Sequence, residues 1–395
     1  MKAVGITAEF NPLHNGHKYL LDSVRAKFPS HAVICVMSGN FVQRGGPAVC
    51  DKYFRAKNAV LCGADLVIEL PVVYAVNSAD NFARGAMKIF RDMGCIEYIA
   101  FGSESGEISK LNGIAEKTED ESFHELIKQK LSLGVSYSAA YSEALGTDRI
   151  SSNDILGTEY IRQAKDLGAD FKFEAIKRKG SGHDDDSFDS EGYSSASYIR
   201  NELLKGNSNN VYVNLPDAAE FTAEELKENY SRVLTKCFDI MKYKILETES
   251  LDIADILEVK EGLENRFKSN VSSASSLDEL ILSVKSKRYT YASVSRMVTQ
   301  LLLGIRKEDF LKFEEHPYSY GRILAFNTAG SKILKEIRGC NCHLITNINK
   351  DNNLDRTLNE MLRIDIKAND IYSHLAGMNM YKSSDHVRSP FILLT

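Results

Sequence analysis

The fold is decided by Ala3-Val-Gly-Ile-Thr-Ala-Glu-Phe-Asn-Pro-Leu-His14-Asn-Gly16-His17-Lys-Tyr-Leu20. Its first six residues are small or β-branched and read as a buried strand, while Leu20, Leu21, Val24 and Phe28 recur at helical spacing. Between strand and helix stand a proline, which restricts the backbone, and two histidines three residues apart. In a first helical turn that spacing makes the imidazoles neighbours. Gly16 leaves room for a ligand at the backbone, and the unpaired N–H groups of the turn form an anion site. Such a site suits an oxygen nucleophile attacking the α-phosphorus of a nucleotide while His14 and His17, the candidate catalytic residues, stabilise the developing charge. Two histidines at this spacing can also ligate a metal or be incidental. Their place after the first strand and at the start of the first helix favours the phosphate reading.

Outward from this motif, residues 32–37, 66–70, 98–101 and 171–176 read as further strands, with amphipathic helical stretches at 54–62 and 82–90. The alternation predicts an α/β fold: a Rossmann-like, doubly wound parallel sheet with its ligand at the carboxyl ends of the strands. Residues 103–145 read as polar helix beside the sheet. From about residue 213 the pattern becomes helical, at 218–246, 251–267, 276–303, 307–313 and 354–369, with one strand at 342–347. Two domains are therefore expected, residues 1–212 with the nucleotide site and residues 213–395 mainly α-helical, in keeping with 395 residues at roughly 100–200 per domain.

With 49 Lys plus Arg against 54 Asp plus Glu the chain is not broadly basic, so any nucleic acid must be held by a local surface. One candidate is Lys285, Lys287, Arg288, Arg296, Arg306 and Lys307, interleaved with Tyr289 and Tyr291, which suits a phosphate backbone and unstacked bases but reads equally as a solvated helix face. Arg44, after the second strand, could hold a phosphate or guide RNA, or sit in a plain surface loop. Seven scattered cysteines argue for a reducing compartment, and no apolar run reaches the roughly 18 residues of a membrane span, so the cytoplasm is expected. Cys340-Asn-Cys342-His343 is half a zinc site without a second pair, and no metal ligands are assigned. The run Asp184-Asp185-Asp186 beside His183 could hold a divalent cation such as Mg²⁺ with ATP, although a solvated loop is its default reading.

A second element follows the fifth strand: Lys177-Arg178-Lys179, then Ser194-Ser195-Ala-Ser-Tyr-Ile-Arg200. Serines at a helix start cap it or donate to a phosphate, and an arginine a turn later can fork onto phosphoryl oxygens. With the histidine motif this element resembles the two signatures of the H-x-G-H nucleotidylyltransferase superfamily. A narrower resemblance rests on Gly5 to His17, on Val36-Met-Ser-Gly-Asn-Phe-Val-Gln-Arg-Gly45 and on Gly63-Ala-Asp-Leu-Val-Ile-Glu-Leu-Pro71. It continues through Phe101-Gly-Ser-Glu104, Ser152-Asn-Asp-Ile-Leu156, Ile176-Lys-Arg178 and Ser286-Lys-Arg-Tyr-Thr290.

These stretches resemble the bacterial tRNA(Met) cytidine acetate ligase family. The resemblance implies an enzyme that activates acetate with ATP as acetyl-adenylate. It then acetylates the wobble cytidine of elongator tRNA(Met) to N4-acetylcytidine, releasing AMP and diphosphate. The implied partners are ATP, acetate and that tRNA, with neither membrane nor DNA and no tightly bound cofactor. The ATP-binding residues carry onto Thr7, Ala8, Glu9, Phe10, Asn11, Pro12, Leu13, His14, Asn15, Gly16, His17, Lys18, Tyr19 and Leu20, and onto Gly102, Asn153 and Arg178; Lys179, Ser195 and Arg200 join them as candidate phosphate ligands. The family pattern Ser-Ala-Thr-x-Ile-Arg is here Ser195-Ala-Ser-Tyr-Ile-Arg, a conservative hydroxyl change, and the acidic loop 181–192 departs from the family. Two other readings remain at this point: a small-molecule adenylyltransferase of the same superfamily, and a non-catalytic RNA-binding protein.

Overall fold

The computed structural model describes residues 1–394 apart from 119, 134, 136, 147–149, 181–188, 351–353 and 379–383. Its centre is an eight-stranded sheet of β1 (Ala3–Ala8), β2 (Ala32–Ser38), β3 (Leu66–Leu70), β4 (Ile96–Ser103), β5 (Lys172–Lys177), β6 (Tyr320–Asn327), β7 (His343–Ile345) and β8 (Phe391–Leu393). The order is β5-β4-β1-β2-β3-β6-β7, with β8 also paired to β6. All pairings among the first five strands are parallel. The chain winds outward from β1 through β2 and β3, then returns to place β4 and β5 on the other side, so the winding reverses between β1 and β4. At such a reversal the flanking loops diverge and leave a crevice at the carboxyl ends, and the histidine motif leaves β1 at that end.

Side chains alternate across the sheet and feed two cores. Val4, Ile6, Val33 and Cys35 pack on one face with Leu21 and Val24 of helix Asn15–Lys27. Ile34, Val36, Leu66 and Ile68 pack on the other with Ala83, Met87 and Phe90 of helix Ala79–Met93. Every residue of β2 and β3 is buried, which is why both read as apolar runs, broken only by Ser38 at the end of β2 and Glu69 in β3.

The region after residue 213 is mainly helical but also supplies β6, β7 and β8, of which only β7 was expected. β6 lies antiparallel to β3. Gly321 and Arg322 interrupt its apolar pattern, and Arg322 is buried only because it finds acidic partners far away in sequence. The expected helix 251–267 is two, Ser250–Ala254 and Leu263–Asn270, the second preceded by Gly262 at φ 86°. The expected helix 276–303 is also two, Leu277–Val284 and Tyr291–Leu303, with Thr290 capping the latter. Among the described residues no helix is long and apolar enough to cross a membrane.

The two regions are joined by buried charge. Lys52 Nζ lies 2.8 Å from both oxygens of Glu69 and 3.0 Å from Asp385 Oδ2, and Arg322 pairs with the same Asp385. Asn40 Nδ2 donates to Asn369 Oδ1 at 3.0 Å. Beside this cluster Asp365 accepts from Val72 N at 2.7 Å and from the Tyr320 hydroxyl. Burial, reinforced by the nearby Glu69 charge, pushes its carboxyl from 3.8 up to about 7. The folded state therefore holds a proton here that the unfolded chain has released, and this contribution to stability, complete below pH 3.8, is lost as pH rises toward 7. Urea midpoints of the native protein should fall across that window, and Asp365→Asn should flatten the fall; equal slopes in the two proteins would remove this assignment.

Candidate functional site

β1 ends at Ala8, and the next residues are held from several sides. The fully buried Arg55 donates Nη1 to the Glu9 carbonyl at 2.5 Å and to Ser38 O at 3.1 Å, and Nη2 to Gly39 O, gathering the ends of β1 and β2. Glu9 Oε1 accepts from Gln43 N at 2.6 Å, and Asn11 Oδ1 from Val49 N at 2.8 Å. Phe10 adopts φ 49°, an uncommon left-handed conformation for a side-chain-bearing residue, and sets its ring edge-on to His17 at 5.1 Å.

The two histidines start the helix Asn15–Lys27 themselves. His14 Nδ1 accepts from Gly16 N at 3.0 Å, and His17 Nδ1 accepts from His14 N at 3.3 Å, in the manner of a reciprocal capping box. With Nδ1 accepting, the proton of each neutral ring resides on Nε2. The centroids lie 3.9 Å apart, and both rings line the cavity. A Cβ at residue 16 would stand 2.8 Å from His14 Cε1. Gly16 thus makes room for the His14 ring itself, a tighter constraint than the ligand clearance expected from sequence.

The cavity, about 870 Å³, opens at the carboxyl ends of β1, β4 and β5. The histidine loop, Gly102, Asn153, Arg178 and Lys179 form part of its wall, and Arg288, Thr290, Ser293 and Arg296 contribute from the other region of the chain. Glu104 organises one side: Asn153 Nδ2 and Ser151 Oγ each donate to it at 2.6 Å, and Arg178 Nε lies 3.5 Å away. The stem of Arg178 passes over Gly102, where a Cβ would stand 3.4 Å from its Cγ. Lys179 Nζ sits 4.4 Å from the Tyr19 ring centroid and 5.6 Å from that of Tyr193, a cation held between aromatic faces. The histidine end is consequently rich in N–H donors and positive charge.

Of the expected ATP-binding residues, Thr7, Ala8, Glu9, Phe10, Asn11, His14, Gly16, His17, Tyr19, Leu20, Gly102, Asn153, Arg178 and Lys179 line this one cavity. The others stand behind or beside it. Pro12 and Leu13 are buried, Asn15 Nδ2 donates to Val213 O at 3.0 Å, and Lys18 pairs with Asp22. Ser195 Oγ accepts from Tyr198 N at 3.1 Å and caps helix Ala196–Lys205. Arg200 donates to the Asn11 carbonyl at 2.8 Å and to Ser197 Oγ at 3.1 Å. In this arrangement the second signature braces the histidine loop, where a phosphate clamp was expected.

Of the expected RNA-binding residues, Arg44 and Arg288 lie on the cavity wall and are exposed, whereas Lys285 and Lys287 are exposed outside it. Arg296 lines the wall with its guanidinium on Glu258, at 2.7 and 2.9 Å. The Asp184 to Asp186 run and His183 fall outside the described residues, as does most of the loop 181–192. Cys342 is buried, with its thiol pushed up by burial, and the described residues contain no cluster of three or more groups able to hold a metal. Sequence reading missed Arg55, Glu104, Asp80, Glu159 and Arg162. Glu104 ends the quoted Phe101-Gly-Ser-Glu stretch, the one available signal among them. Gly16→Ala should displace the His14 ring and lower activity about 100-fold or more while circular dichroism stays native; full activity would contradict the packing described.

A family model described as HIGH Nucleotidyl Transferase matches residues 1–386. The tRNA(Met) cytidine acetate ligase of Clostridium novyi (strain NT) is 36% identical over 409 residues, covering 100% of both chains. That of Clostridium perfringens (strain SM101 / Type A) is 36% identical over 99% of this chain and 100% of its own. The apo crystal structure of Thermotoga maritima TmcAL superposes with a TM-score of 0.89 at 31% identity, covering 100% of each chain. The same protein bound with alpha-thio ATP gives 0.87 at 30%, again over both full lengths. Matched from end to end in sequence and in fold, the chain belongs to the tRNA(Met) cytidine acetate ligase family of the HIGH nucleotidyl transferases.

Proposed function

We propose that this protein uses ATP to activate acetate as acetyl-adenylate and transfers the acetyl group to the exocyclic amine of the wobble cytidine of elongator tRNA(Met). The observation that carries the reading is the paired-imidazole cap: two rings fixed by their own backbone, with protons on Nε2, on the wall of a cavity shared with Arg178 and Lys179. Acetate attacking a triphosphate brings two anions together, and the barrier falls only if fixed donors neutralise the α-phosphate as diphosphate leaves. His14 and His17 supply those donors without reorganising, because each ring is anchored through Nδ1. Arg178, steadied by Glu104, and Lys179 add positive charge. ATP is a co-substrate, and any Mg²⁺ would enter with its triphosphate.

Residues 1–212 then form the ATP-binding part, and residues 213–395 present the tRNA, in the cytoplasm where that substrate resides. Arg44 and Arg288 at the cavity mouth, continued outward by Lys285 and Lys287, form the surface suited to the phosphate backbone. Arg296 is better placed to shape the mouth through Glu258 than to bind RNA directly.

His17→Ala should lower acetate-dependent pyrophosphate exchange by about 100-fold or more. Near-normal exchange by the folded variant would remove His17 from the adenylation step. Joint replacement of Lys285, Lys287 and Arg288 by Ala should weaken tRNA binding and shallow its salt dependence by up to about 0.7–0.9 per lost phosphate contact. An unchanged salt slope would place the tRNA elsewhere. Incubation with ATP, labelled acetate and total tRNA, followed by nucleoside analysis, tests the whole reading: label should appear in N4-acetylcytidine.

A further inference from the structure

Alongside the expected ATP residues, the same cavity forms a chamber walled by Phe82, Phe101, Phe123, Ile155 and Tyr160, with Asp80, Glu159 and Arg162 also in its lining. Helices Ala79–Met93 and Ser152–Asp166 supply these three charged groups. Glu159 is 3% exposed. Arg162 Nε and Nη2 both donate to Glu159 Oε2, at 3.0 and 2.6 Å, and no described residue donates to Oε1. Asp80 acts electrostatically on both partners. Arg162 thus pairs with Glu159 and lies 3.8 Å from Asp166, outside the cavity lining, so on the wall itself the carboxylates of Glu159 and Asp80 outnumber the one guanidinium.

An acetate or phosphate is repelled from such a chamber. A flat heterocycle carrying an N–H donor fits both its aromatic wall and its spare acceptor, the combination by which enzymes hold an extruded base. We propose that this chamber receives the base that is acetylated, with Glu159 Oε1 accepting a hydrogen bond from its exocyclic amine and Asp80 reinforcing the preference for a donor. The inference rests on the acetate-ligase reading of the site. In the transfer step the amine nitrogen's lone pair forms the C–N bond to the acetyl carbonyl carbon of acetyl-adenylate. The bond from that carbon to the phosphate oxygen breaks, and AMP leaves with the electron pair. One amine proton passes to the Glu159 carboxylate and on to solvent. Burial pushes the Glu159 carboxyl up, against the pull of Arg162, which makes it a better proton acceptor than an exposed glutamate. Uracil would set a carbonyl oxygen where cytosine has its amine, acceptor against acceptor.

The test separates the half-reactions in the full-length protein. Glu159→Gln should keep acetate-dependent pyrophosphate exchange within about threefold, yet lower kcat for acetylation of an elongator tRNA(Met) transcript by about 100-fold or more, with Glu159→Asp restoring part of it. Asp80→Asn, a change at a partly exposed residue that spares the Arg162 pair, should lower acetylation about tenfold with exchange intact. With the native protein, a transcript carrying uridine at the wobble position should inhibit at least about tenfold more weakly than the cytidine transcript. Parallel loss of exchange and transfer in a folded variant, unchanged transfer, or equal inhibition by the two transcripts would overturn the proposal. Absence of acetate-dependent exchange in the native protein would instead overturn the acetate-ligase reading.

Discussion

Lys52, Glu69, Arg322 and Asp385 form a buried ionic lattice on which the arrangement of the molecule depends. Its members come from the helix after β2, from β3, from β6 and from the C-terminal segment, so one lattice fixes how the sheet's second half meets its first. Replacing such a group singly leaves its partner charged in an apolar interior and typically costs about 3–5 kcal/mol. Two cations balance two carboxylates, and the neighbouring Asp365 takes up a proton near pH 7 rather than add a third negative charge. Apolar residues could join the regions as firmly, but charge favours the register of β6 against β3 that sets Arg322 opposite Glu69. The same region of the chain contributes Arg288, Thr290 and Arg296 to the wall of the histidine site.

The parts legible in sequence were those governed by local rules. β1 to β3 announce themselves because both faces are buried and nearly all their residues are apolar, Thr7, Ser38 and Glu69 being the exceptions. The histidine motif was legible because strand, proline turn and helix start are consecutive in the chain. β6 was not, since a buried arginine in a strand is intelligible only once Asp385, 63 residues later, is known to reach it. Ser195 and Arg200 were expected on phosphate because their residue types suit it; the sequence did not show that the fold also gives them a helix start and a carbonyl on the loop. Glu159 and Arg162 look in sequence like an ordinary surface pair three residues apart, and only burial against the cavity gives them weight.

The histidine site also shows how one set of atoms can serve structure and chemistry together. The N–H groups of a helix start usually need a serine or aspartate cap. Here imidazoles do that work, so the groups proposed to meet the α-phosphate are oriented by the first turn of the helix. Arg55 extends the same economy to the strand ends, where carbonyl oxygens satisfy its buried guanidinium and are fixed by it.

The antiparallel pairing of β6 with β3 bears on how the protein can change over evolutionary time. Without β6, the wholly buried β3 would become an open edge, with unpaired backbone groups and apolar faces inviting intermolecular strand addition. The N-terminal half is therefore no detachable cassette. A lineage that exchanged the C-terminal half for another unit would also have to replace the strand that seals the sheet.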